Sequence, residues 1–154
     1  MLNALCIDVE DYYQCNDLGI AFENWPAFES RLRIGTRRLL DALRKADTTA
    51  TFFVLGSAAE AAPDLVRQIR HAGHEIGTHG YAHGFVYRMG AEGFRRDLQR
   101  SLEILTDLAQ GPVAGHRAPY FSITEQSPCS FDVLRATGLR HDASVFPVPN
   151  SRYG

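Results

Sequence analysis

Little in this sequence points to a membrane, a nucleic acid or an oxidising compartment. No apolar run approaches the roughly 20 residues of a membrane-spanning helix. The N-terminus passes straight into a strand-like segment, without the basic region and apolar stretch of a secretion signal. Lys and Arg are scattered and the net charge is −2, which argues against nucleic acid as the main partner. The three cysteines, Cys6, Cys15 and Cys129, are odd in number and show no metal-ligand spacing. Reduced thiols in a cytoplasmic protein are therefore expected. There is no internal repeat and no low-complexity linker.

What is present suits one soluble domain spanning residues 1–154, with 45% hydrophobic and 22% charged residues. Leu2 to Ile7, Thr49 to Leu55, Glu75 to Thr78, Val113 to Arg117 and Leu139 to Phe146 read as five strands. Between them, Gly35 to Ala46, Pro63 to Gly73, Ala91 to Ala109 and a segment from Ser127-Pro128 to Gly138 read as helices. Tyr12 to Phe28 has no clear period, is rich in aromatics, and reads as an extended loop. Strands alternating with helices predict a parallel α/β arrangement.

Chemistry-bearing residues fall at the carboxyl ends of these strands, where parallel α/β folds build their sites. The stretch His74 to His83 ends in His79 and His83, four positions apart, so both imidazoles can reach one cation. Two histidines and a carboxylate form a common catalytic ligand set, and Asp8, Glu10 and Asp11 follow the first strand. One carboxylate would bind the metal and another would act as general base on the attacking water. Zinc is favoured by ligand type, although cobalt, nickel or iron would fit the same set. Arg117 can hold a carboxylate such as Asp8 ionised, or pair with Asp142. The Tyr120 amide, after Pro119, could face a developing oxyanion. His116 is expected to be structural.

The chain resembles the polysaccharide deacetylases of the NodB-homology type, carbohydrate esterase family 4. It looks closest to the branch holding cytoplasmic peptidoglycan-deacetylase-like and allantoinase-like proteins and the deacetylases of exopolysaccharide gene clusters. The resemblance rests on Ile7-Asp8-Val9-Glu10-Asp11-Tyr12, Ala50 to Gly56, His74 to His83, Arg117-Ala118-Pro119-Tyr120 and Asp142 to Phe146. It implies an irregular (β/α) barrel of fewer than eight strands and metal-dependent, zinc-type hydrolysis of N-acetyl groups on an amino-sugar polysaccharide. By position, Asp8 would be the general base, and His79 and His83 metal ligands. Arg117 would hold Asp8 with Asp142 behind it, and Tyr120 would supply the oxyanion amide. Val9 stands where the family commonly has a second aspartate, so the carboxylate ligand is Glu10 or Asp11, with Glu10 preferred for sharing a strand face with Asp8.

The family's general acid is a histidine on a late strand, beyond the region present here. The expectation is thus a barrel truncated after about five strands, with an exposed edge that would favour homo-oligomers. Two rival functions follow: allantoinase-like hydrolysis of a small cyclic amide, and a non-catalytic carbohydrate-binding or structural domain.

Overall fold

A computed structural model describes residues 4–146 and 148. The first residues of the expected opening strand, Leu2 and Asn3, lie outside the described residues. The strands are β1 (Cys6–Val9), β2 (Thr51–Val54), β3 (Glu75–Thr78), β4 (Gly115–His116) and β5 (His141–Asp142). The helices are α1 (Leu32–Lys45), α2 (Gly56–Ala61), α3 (Pro63–His71), α4 (Val86–Ala109) and α5 (Ser130–Ala136). The strands form one parallel five-stranded sheet in the order β1-β2-β3-β4-β5. Sequential order is that of a (β/α) barrel wall; a doubly wound sheet reverses its order.

Register explains the division of faces. Ile7, Phe52 and Ile76 are partners across β1, β2 and β3, and all three join a cluster with Leu65, Val66 and Ile69 of α3 and Leu105 of α4. This is the helix-covered face. One residue further along, side chains point the other way. There the row runs Asp8, Phe53, Gly77, Gly115, His141. The two glycines are required by close approach: a Cβ on Gly77 would lie 2.5 Å from the Phe53 ring, and one on Gly115 would overlap His141. Large side chains on β2 and β5 thus lean over small positions on β3 and β4.

Three expectations need correction. α2 was not foreseen; its six residues are too few and too alanine-rich to show a period, and Gly56 read as a strand stop. α4 begins at Val86 rather than Ala91, because the first turn is separated by Gly90 at φ 65°, ψ 173°, a conformation suited to glycine. The fourth and fifth strands are two residues each, much shorter than the apolar runs suggested; beyond them only single backbone bonds continue, and the Ala118 N–H turns aside to Ser144 Oγ. The aromatic segment after β1 folds as three 3-10 turns, Tyr12–Gln14, Asn16–Leu18 and Phe22–Ala27. Tyr13 and Trp25 in it are buried and join the main cluster.

Candidate metal centre

The row of residues just beyond the strand ends builds the site. Backbone pairing continues past the strands: Leu55 N–H donates to Val9 O, His79 N–H to Val54 O, Arg117 N–H to Thr78 O and Ala143 N–H to His116 O. Glu10, Leu55, His79 and Arg117 therefore form one row just past the strand ends, in which His79 and Arg117 are neighbours and Leu55, packed into the main cluster, stands between Glu10 and His79. The chain then turns through Gly80 at φ 75°, and His83, itself at φ 55°, returns beside His79. Their ring centroids are 5.3 Å apart.

Donor atoms of Glu10, His79 and His83 all lie within 4.8 Å of one another. Glu10 Oε2 is 3.7 Å from His79 Nε2 and in close contact with His83 Nε2. Ligands on a tetrahedral ion with bonds of about 2.1 Å stand roughly 3.4 Å apart, so this set has the right scale. Glu10 Oε2 is buried and, among the described residues, has no hydrogen-bond partner. Such an oxygen is costly unless a cation or proton satisfies it. The donor set therefore fits a divalent metal.

Asp11, the rival ligand, is turned away. Its Oδ1 accepts the Arg31 N–H at 2.9 Å, and its own N–H donates to Gln14 Oε1 at 2.6 Å. It fastens the start of α1 to the turn after β1.

The tautomer of His79 follows from its partner. Nδ1 lies 2.7 Å from the Arg117 carbonyl, which can only accept, so Nδ1 carries the proton and Nε2 presents its lone pair to the centre. Burial pushes the His79 pKa down against the opposing charge of Asp8, keeping the ring in its neutral, ligating form. Burial pushes the Glu10 carboxyl up, but the contact with His83, and the charges of His83 and His79, more than offset it and leave it below its usual value.

Asp8 Oδ1 accepts from Arg117 Nη1 at 3.0 Å. The guanidinium lies 4.6 Å over the Phe53 ring, which fixes it in place. Asp142, expected behind Arg117, is elsewhere. It is the cross-strand partner of His116, so by strand alternation it shares the face opposite Arg117. Its Oδ2 accepts from His116 Nδ1 at 2.6 Å and from Ser144 Oγ at 2.7 Å.

Tyr120 adopts φ 55°, ψ 25°. Its ring stands edge-on to His83 with centroids 5.1 Å apart, and its hydroxyl accepts the Asn16 N–H at 2.8 Å. Asn16 Nδ2 in turn donates to the His83 carbonyl at 2.9 Å. Burial, with Cys15 beside the hydroxyl, pushes the Tyr120 phenol well above its usual range.

Two supports escaped the sequence reading. Asp97 on α4 accepts the Tyr81 N–H at 2.7 Å and the Ala82 N–H at 3.1 Å, clamping the turn between the two histidines. A Cβ on Gly80 would be 2.8 Å from Asp97 Oδ2, which is why glycine stands there. A carboxylate between Phe94 and Leu98, on the buried side of a helix, was the available signal. Asn16 left no such signal, being a polar residue in an aperiodic loop.

A parallel, sequentially ordered α/β sheet with a His-His-carboxylate cluster at its strand ends defines a (β/α)-type chain carrying a candidate metal centre. Residues 13–141 match the family model for polysaccharide deacetylase, and the chain belongs to that family. It is 33% identical over 113 residues to a peptidoglycan-N-acetylglucosamine deacetylase of Bacillus cereus, covering 73% of this chain and 39% of the relative. It is 32% identical to chitin deacetylase 1 of Saccharomyces cerevisiae, covering 77% and 36%. A Mycobacterium smegmatis structure described as a polysaccharide deacetylase superposes with a TM-score of 0.77 at 27% identity, over 93% of this chain and 50% of that one. The chain thus spans under two fifths of the curated relatives' length in these two cases. Among the described residues, no helix is long and apolar enough to cross a membrane.

Proposed function

We propose that this chain provides the metal-binding part of an enzyme that hydrolyses N-acetyl groups on an amino-sugar polysaccharide. The observation that carries this reading is the convergence of Glu10, His79 and His83, with the Asp8–Arg117 pair alongside. Glu10, His79 and His83 would hold the metal, with zinc favoured by two imidazoles and a carboxylate. Bound there, a metal would supply Lewis-acid polarisation of the acetyl carbonyl and would lower the pKa of water.

The remaining steps belong to the protein. Asp8, solvent-accessible and paired to Arg117, takes the proton from the attacking water and returns it to the amine nitrogen as the C–N bond breaks. Arg117 favours the ionised carboxylate and fixes its direction. The N–H of Tyr120, whose ring stands edge-on to His83, is the candidate donor to the oxyanion. The names of the relatives, peptidoglycan and chitin deacetylases, support an N-acetylated glycan as substrate.

Elemental analysis after exhaustive dialysis tests the centre. About one zinc-like ion per chain is expected, lost when His79→Ala and His83→Ala are combined. Acetate release from N-acetylated oligosaccharides should then fall at least ~100-fold in Asp8→Asn with metal content unchanged. A folded wild-type chain that retains no metal would sink the reading. Hydrolysis of allantoin in place of the glycan would move it to the cyclic-amide class.

A further inference from the structure

We propose that Asp142 and Ser144 are positioning residues for the metal ligand His79, acting through the single peptide group between Arg117 and Ala118. This inference rests on the metal reading above. The peptide is held at both poles. Its N–H, on Ala118, donates to Ser144 Oγ at 2.7 Å. Its carbonyl, on Arg117, accepts from His79 Nδ1 at 2.7 Å. Ser144 Oγ, having accepted from Ala118, spends its one proton on Asp142 Oδ2 at 2.7 Å. Every donor and acceptor is thereby assigned in one direction, from His79 to the carboxylate.

Ser144 and Ala118 are buried, and Asp142 is fixed by two further bonds. His116 Nδ1 donates to Oδ2 at 2.6 Å, and the Ser144 N–H donates to Oδ1 at 3.0 Å. Hydrogen bonds in series away from water polarise one another. A carboxylate at the far end therefore strengthens the Arg117 carbonyl as an acceptor. That holds the His79 ring in the Nδ1–H tautomer and makes Nε2 a better donor to a cation. Groups that orient a ligating histidine commonly govern metal affinity about 10–100-fold. Here the orienting carboxylate reaches the histidine through the main chain, so neither Asp142 nor Ser144 touches the metal centre.

The test uses the whole chain, wild type beside Ser144→Ala and Asp142→Asn. Imidazole 15N resonances are recorded without metal, and zinc affinity by competition with a chelator. The expected result is a His79 Nδ1 resonance that shifts and loses protection from solvent exchange in both variants, while the His83 ring is unmoved. Zinc binding should weaken about 10-fold or more in Ser144→Ala. A general loosening of the site would move both histidines alike and would overturn the proposal. So would unchanged His79 resonances, or a shifted ring with wild-type zinc affinity. Should Ser144→Ala fail to fold, Asp142→Asn decides, because it keeps the shape and an acceptor for Ser144. If the wild type holds no zinc, the metal reading fails, and the metal-free resonances still decide the relay.

Discussion

The β1–β3 wall and the β4–β5 margin are built on different principles. Each of the first three strands keeps register over four residues and buries a continuous apolar row against α3 and α4. The last two pair over only two residues, and their neighbourhood is held by His116, Asp142 and Ser144. Glu10 and His79 stand on the first kind of structure, and Arg117 on the second. Two of the donors thus rest on apolar packing, which is rigid because it is dense. The group that orients one of them rests on directional hydrogen bonds, which fix angles more sharply than packing does.

The largest effect should come from the apolar half. Phe52 is fully buried in the middle of the main cluster. Phe52→Ala should cost about 3–5 kcal/mol in denaturant unfolding, from lost transfer energy and the cavity left behind. A loss below about 1 kcal/mol would mean that β2 does not carry the packing assigned to it.

A smaller effect is expected where the two halves meet. Gly77 lies on β3, with Phe53 on one side and the Gly115 carbonyl of β4 on the other. An added Cβ would sit 2.5 Å from the Phe53 ring and 3.1 Å from that carbonyl. Gly77→Ala should therefore destabilise by about 1–3 kcal/mol through overpacking. It should also weaken metal binding, because Phe53 supports Arg117 and β3 leads directly into His79. Full stability with unchanged metal content would show that the margin yields freely, against the division drawn above.

That division also sets what could be read from the sequence. The apolar runs of β2 and β3 and the three- and four-residue spacing in α4 announce themselves, because burial selects residue types. The His79–His83 spacing and the acidic stretch after β1 were equally visible, and strand parity favoured Glu10 over Asp11. Parity also decides the case of Asp142. Ruling out its pairing with Arg117 required knowing that its cross-strand neighbour is His116, and register between two-residue strands leaves no periodic trace. Asn16 and Ser144 were invisible as site supports for a related reason. Each acts on a backbone group of another segment, and a backbone partner imposes no pattern on sequence.

The smallest effect separates the halves by pH. Burial alone would raise the Asp142 carboxyl, but the bonds and charge of His116, with two bonds from Ser144, outweigh it and leave the folded pKa below the usual value. A depressed carboxylate contributes stability that is present above the unfolded pKa of about 3.9 and is lost as pH falls through the folded value. At pH 7, Asp142→Asn should therefore cost about 1–1.5 kcal/mol, the difference between a hydrogen bond to a charged group and one to a neutral group. Near pH 3 the wild type has begun to forfeit the same contribution, so the gap between the two proteins should narrow. Phe52→Ala carries no titrating group, and its deficit should be the same at both pH values. Parallel denaturant titrations of the three proteins give the answer. An Asp142→Asn deficit that does not shrink in acid would mean that shape rather than charge holds the β4–β5 margin, and the contrast with the apolar half would disappear.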